Sequence, residues 1–259
     1  MSYEDKLLDA INKGDDKKIK YLIEKKAVDV NFEGFFGEMP ILTAIGVGYN
    51  IRPLKLLIEM GAKINTQNKY GKNPIFHCID KENLGALALL IEKGAVLNFH
   101  HKISGVTPLI YAMKENKSYF INQLIKFGAD VNLPDKKGVT PLHYAVKNNH
   151  FENTKLLVEA YKAEVNKEDG EGKTPLYYAF QAKNLDVFNL LLSAGAKIHL
   201  DSENKKGVEQ YLEEELLKDP LVLMYQKVLE LKQERFLKPI HIVQQVIKRR
   251  KEKGGRSKD

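Results

Sequence analysis

Few side chains in this sequence are of a type and spacing suited to covalent or metal chemistry. His77 and Cys78 are adjacent, an imidazole beside a thiol, which is the pairing a cysteine nucleophile needs. His100 and His101 form a second pair, but a metal site there would require further ligands that the flanking residues do not supply. His143 stands inside the segment TPLHYA. No P-loop, GxGxxG, GxSxG or HExxH pattern is present. With Cys78 the single cysteine, neither an intramolecular disulfide nor a multi-cysteine metal centre can form, which suits a reducing compartment. Residues suited to noncovalent recognition are more numerous. They comprise the aromatic residues Phe35, Phe36 and Tyr70, the lysines Lys69, Lys72, Lys102, Lys136, Lys137 and Lys147, and a C-terminal basic run of Lys248, Arg249, Arg250, Lys251 and Lys253.

The elements that carry these residues belong to an ordinary globular composition: 259 residues, 43% apolar and 29% charged, so a real core must exist. The net charge of +7 is unevenly placed. Residues 248–259 hold seven basic and two acidic groups, leaving the other 247 nearly neutral at +2. Lysine outnumbers arginine 36 to 5, which gives diffuse positive charge with few of the planar forks that read phosphates and bases, and so argues against sequence-specific nucleic-acid recognition. The apolar run Leu84 to Ile91 spans eight residues, too short to cross a bilayer. The N-terminal MSYEDKLLDAINKGDD is mixed in charge and helical in pattern, unlike a secretory leader, so the mature chain is expected to start at or near Met1.

Self-similarity decides the architecture. MPILTA (39–44), NPIFHC (73–78), TPLIYA (107–112), TPLHYA (140–145) and TPLYYA (174–179) align, with prolines 34, 34, 33 and 34 residues apart and a glycine three positions before each. A second landmark follows in each unit: LLIEMGAKIN, LLIEKGAVLN, QLIKFGADVN, LLVEAYKAEVN and LLLSAGAKIH. Proline fits the first helical position, because its fixed φ suits a helix and its missing N–H has no partner there anyway. Thr107, Thr140 and Thr174 can cap the turn that follows. The Leu-Leu-Ile stripe defines a second helix that one helical pair cannot bury alone, and the Gly-Ala after it supplies a left-handed residue to end that helix. Short β-type stretches (63–65, 130–132) and the glycine before each proline should then form a turn projecting toward the next unit.

These motifs resemble the ankyrin repeat, with its T-P-L-H-x-A signature and 33-residue period, over roughly residues 1–236. The resemblance implies an all-α-dominated solenoid of helix-turn-helix units with hairpin-like turns. Residues 1–34 would be an N-terminal capping repeat, 35–203 five repeats, 204–236 a degenerate closing repeat, and 237–259 a basic amphipathic helix and tail. Ala10 lies 34 residues before Ala44, with Lys6 in the proline position, as a polar end unit would have it. Single extra residues in GVGYNIRP and FHHKISG, and Tyr161-Lys162 in place of the fifth unit's glycine, should alter only loops. Cys78 takes the place of alanine in the other units and reads as a small buried hydrophobe; His143 reads as a turn-linking imidazole, and His100 and His101 as surface loop residues.

The resemblance further implies a noncatalytic protein-binding adaptor or structural subunit, with no cofactor and no small-molecule substrate, whose partner strip runs along the turn tips and first helices. Phe35, Phe36 and Tyr70 would anchor it, and the lysines would steer an acidic or mixed surface. Plainer readings stand beside these: the phenylalanines cover the first repeat, and the lysines are a solvated face. The basic tail packs on the last repeat, binds protein or an anionic surface, or acts as a nuclear localisation signal or nonspecific nucleic-acid contact. Two alternative functions follow, a cytoskeletal or axonemal role with the tail on an acidic polymer such as tubulin, and a bacterial effector role in a host cell. The location expected is intracellular, cytoplasmic or cytoskeletal, with the nucleus open through KRRK.

Overall fold

A computed structural model describes residues 2–197, so the closing repeat and basic tail expected at 204–259 lie outside the described residues. The chain divides into two compact units, residues 1–175 and 176–259. In the first, paired helices follow one another: α1 (Tyr3–Lys13) and α2 (Asp16–Lys26), α3 (Pro40–Gly46) and α4 (Arg52–Glu59), α5 (Pro74–Asp80) and α6 (Leu84–Glu92), α7 (Pro108–Lys114) and α8 (Ser118–Lys126), α9 (Pro141–Lys147) and α10 (Phe151–Lys155). The second holds the rest of α11 (Pro175–Gln181) and α12 (Leu185–Ser193), with Phe180 tilted against Phe188 at 6.4 Å.

The first helices are short, seven residues from α3 to α9, because each begins at its proline and is packed on several sides at once. Helix α3 packs on α1, α4 and α5, α5 on α6 and α7, and α7 on α8 and α9. Ala10, Ala44, Cys78, Ala112 and Ala145 are all at most 1% exposed, which is why each unit carries a small residue at that position. Thr107 caps α7 through Ile110 N–H at 3.2 Å, and Asn73 performs the same task for α5 through Ile75 N–H at 2.7 Å. The second helices bury one face only, as with Leu87, Leu89 and Leu90 of α6.

Adjacent units are joined by a hydrogen-bonded ladder. Asn31 donates through Nδ2 to Gly61 O (3.1 Å) and accepts at Oδ1 from Lys63 N–H (2.7 Å). Asn65 does the same with Gly94 O and Val96 N–H, and Asn98 with Gly128 O and Asp130 N–H. These bonds explain one departure from expectation. The stretches 63–65 and 130–132 are not strands but turn-like, because a neighbouring asparagine amide satisfies their backbone instead of a β-partner.

The fifth unit gives a second departure. Its extra residue is absorbed inside a helix, since α10 continues as a π-helical turn over Leu156–Ala160 and not as a longer loop. Lys162 then takes the left-handed position (φ 52°) that Gly128 holds one unit earlier, and Glu164 N–H still reaches Asn132 Oδ1 at 2.9 Å. Expectation for the other two insertions holds: one lies in the loop around Gly48 to Asn50, the other widens a turn at His101.

Replacing fully buried Leu124 or Leu157 with alanine should cost about 2–5 kcal/mol, against less than about 0.5 for exposed Lys136→Ala. Asn98→Asp, which cannot donate to Gly128 O, should fall between them at about 1–2 kcal/mol. Urea titrations of the four variants check the order.

Candidate protein-binding face

The turns before each proline form closed fingers, each held by its first residue. Asn68 N–H donates to Lys72 O, and its Oδ1 accepts from Tyr70 and Lys72 N–H at 3.0 and 2.8 Å. Asp135 and Asp169 make the same loop-spanning bonds with their carboxylates. In the widened third finger, His101 Nδ1 replaces the carboxylate and accepts from Ile103 and Ser104 N–H at 3.3 and 3.1 Å. The ring stands edge-to-face on Phe76 at 5.2 Å, and burial followed by the nearby Lys136 charge holds its pKa below the usual histidine value. His100 Nε2 bonds to Pro134 O at 2.9 Å. Both histidines lie in loops as expected, and each also holds turns together through its ring nitrogen.

The sequence-predicted anchors converge on two adjacent fingertips. Phe35 and Phe36 are 83% and 73% exposed and stand edge-to-face at 5.1 Å, while Tyr70 of the next finger is half exposed. Lys69 Nζ lies 5.2 Å from the Phe35 ring centroid and 5.4 Å from that of Tyr70, and it donates to the Phe35 carbonyl. Gly37 makes this approach possible: at φ 78°, a Cβ there would meet Tyr70 Cδ2 at 2.7 Å. The exposed lysines continue along later fingers and helix ends. Lys136 donates to Lys102 O at 3.2 Å, Lys137 is held through its N–H by Asp135, and Lys147 ends α9. Lys72 pairs with Asp80 at 3.6 Å. Lys69, Lys72 and Lys136 are thus engaged within the chain as well as displayed. The basic residues Lys248, Arg249, Arg250, Lys251 and Lys253 lie outside the described residues.

Beneath the Phe36 and Tyr70 tips runs a groove of about 440 Å³, lined among others by Met39, Leu42, Thr43, Gly46, His77 and Lys81. Of its lining residues, the sequence pointed to Phe36, Tyr70 and Lys72 for binding and to His77 as a candidate for chemistry, whereas the floor residues Met39, Leu42 and Thr43 escaped it. The available signal was one register position, which reads Thr43, His77, Tyr111 and Tyr144 along successive units. Tyr144 donates to Asp135 Oδ2 at 3.0 Å, and burial, then this bond, pushes its pKa up to about 12. Tyr111 donates to Asp80, and its pKa is likewise raised, mainly by burial.

The candidate catalytic side chains have structural places. Cys78 is fully buried, and desolvation drives its thiol pKa far upward, the reverse of an activated nucleophile. His143 is fully buried: Nδ1 bonds with Thr140 Oγ1 at 2.8 Å and Nε2 with Lys173 O at 3.0 Å, linking its helix to the following finger as expected. His77 is 9% exposed with no hydrogen-bond partner for Nδ1, and burial, followed by the Lys72 charge, lowers its pKa to about 4. Among the described residues no cluster of three or more His, Cys, Asp or Glu could hold a metal, and no helix is long and apolar enough to cross a membrane.

A family of sequences described as ankyrin repeats (three copies) matches residues 7–101 and 109–202. No curated protein matches the chain. Among solved structures, an ankyrin repeat domain from Acinetobacter baumannii is similar at 27% identity and TM-score 0.64, covering 74% of this chain and 98% of that one. The ankyrin repeat domain of human ASB11 is similar at 25% identity and TM-score 0.60, covering 76% of this chain and 87% of that one.

A histidine whose folded pKa is depressed makes the folded state resist protonation. Stability therefore falls as pH drops from the unfolded value of about 6.5 toward about 4. Urea titrations at pH 7 and pH 4.5 should show a smaller acid loss in His77→Gln than in the wild type, by on the order of 2 kcal/mol. Cys78 should react with a thiol reagent only after denaturant unfolds the chain.

Proposed function

Because the chain belongs to the ankyrin-repeat family, whose repeats bind other proteins and are in general noncatalytic, we propose that it is an adaptor or structural subunit that holds a protein partner on its finger face. One observation carries this reading: Phe35, Phe36 and Tyr70 form a single exposed aromatic cluster on adjacent fingers whose backbones are tightly closed. Aromatic side chains are enriched among the few residues that carry most of an interface's energy, and a prefixed scaffold avoids the cost of ordering them on binding. Asn68 Nδ2 donates to Gly37 O at 2.8 Å and Lys69 N–H to Glu33 at 2.8 Å, so the two anchoring fingers are braced against each other. The exposed lysines Lys102, Lys137 and Lys147 then favour an acidic or mixed partner surface and act chiefly on the rate of encounter. The basic tail, with a net charge of +5 over residues 248–259, serves in this reading as a second contact.

The test is affinity capture from the native source with quantitative mass spectrometry. It compares the full chain, a chain lacking residues 248–259, and a Phe35→Ala/Phe36→Ala/Tyr70→Ala variant confirmed as folded by circular dichroism. Loss of the main partner in the triple variant alone supports the finger face. Loss in the truncation alone transfers the function to the tail, and co-sedimentation with microtubules then asks whether the acidic polymer is tubulin. For the captured partner, the association rate with the full chain should fall about tenfold between 50 and 500 mM salt while dissociation changes less.

A further inference from the structure

The groove under the first fingertips is open for a reason that can be read residue by residue. In the fifth unit Tyr144 spans from α9 to its own finger and bonds Asp135 at 3.0 Å. The same register holds Thr43 and His77 in the second and third units. Threonine is too short to reach a finger. His77 turns Nε2 toward Gly46, where a Cβ would meet it at 3.8 Å and Lys81 Cε at 3.9 Å. What remains is a floor of Met39 and Leu42, both at most 5% exposed, with Phe36 and Tyr70 as lips.

The charges around this groove differ in how they are engaged. The Glu38 carboxylate accepts from Phe36 N–H at 2.9 Å, and Asp80 accepts from Tyr111 and pairs with Lys72. Lys81 forms no ion pair among the described residues, and His77, neutral near pH 7, adds no charge of its own. An apolar trough, lined also by the Glu38 carboxylate, thus ends at an ammonium that has no ion-pair partner among the described residues. Its volume of about 440 Å³ is at the lower end of ligand pockets and suffices for a large side chain with adjoining backbone.

Resting on the finger-face reading above, we propose that this groove is a side-chain subsite for an extended segment of a partner protein. The segment presents an aromatic or large aliphatic residue to the trough and, two residues away, an aspartate or glutamate to Lys81. The spacing of two follows from extended backbone, in which alternate side chains share a face.

The test uses displayed random twelve-residue peptides selected on the immobilised full chain. The expected enriched sequences pair Phe, Tyr, Leu or Met with Asp or Glu two residues away. The best such peptide should bind about tenfold more weakly to His77→Tyr, which restores the residue type of Tyr111 and Tyr144 and closes the trough. It should also weaken on Gly46→Leu, a site whose Cβ has only ordinary contacts, and at least about fivefold on Lys81→Glu. An amide version of the peptide, with Asn or Gln for the acid, should lose most of its sensitivity to Lys81→Glu. If both filling variants bind as the wild type does while the Phe35, Phe36 and Tyr70 triple variant loses the peptide, the subsite is wrong and the finger face stands. If the triple variant also binds normally, both readings fail. A selection that yields no peptide, or none with the paired pattern, overturns the subsite.

Discussion

One asparagine per unit sets the geometry on which the other interactions depend. A helix ending in a turn leaves carbonyls and N–H groups that must find partners, and a short unit has too little chain of its own to supply them. Asn31, Asn65 and Asn98 meet this need across the unit boundary: one amide donates to the carbonyl at the end of the next second helix and accepts from the N–H two residues on. Each therefore satisfies two backbone groups and fixes the offset between neighbours at once. Hydrophobic burial between successive first helices drives the stacking, but it tolerates sliding. The paired amide bonds do not.

That fixed offset accounts for where irregularity is found. The fifth unit is one residue longer in its second helix, and a looped-out residue after the helix would have carried Glu164 away from Asn132. The π-helical turn at Leu156–Ala160 takes up the residue earlier, so Lys162 accepts a strained left-handed conformation and Glu164 keeps its bond. In the third finger the extra residue is handled by chemistry. His101 has a longer reach than aspartate and holds a wider turn through Nδ1, while its ring packs on Phe76, which replaces the turn-linking histidine of the fifth unit. Two substitutions thus compensate for one another across unit boundaries.

This pattern also explains what could be read from sequence and what could not. The helices were legible because proline, threonine and the leucine stripe each act locally. So were Cys78 and His143, whose roles follow from their place in a recurring motif. The aromatic anchors were legible as types, although their union into one cluster depends on Lys69 and on Gly37 admitting Tyr70. The turn-like form of residues 63–65 was not, because the group that satisfies Lys63 N–H lies 32 residues away on Asn31. The π-helical turn was hidden for a related reason. Sequence locates an insertion, whereas the ladder decides which part of the unit absorbs it.

The groove shows the same logic applied to recognition. A finger must be held in place by something, and in the fifth unit part of that hold comes from within, through Tyr144 to Asp135. The second and third units lack tyrosine at this register, yet their fingers are held from the side and the base: Asn68 bonds Gly37 O, Lys69 bonds Glu33, and Asn73 Nδ2 bonds Thr66 O at 3.0 Å. Lateral bracing makes the tyrosine dispensable for finger position. The space it would fill can then stay open without loosening the aromatic side chains above it. A scaffold whose units share one backbone but differ in how each finger is braced can therefore present a rigid floor at one unit and a recess at the next.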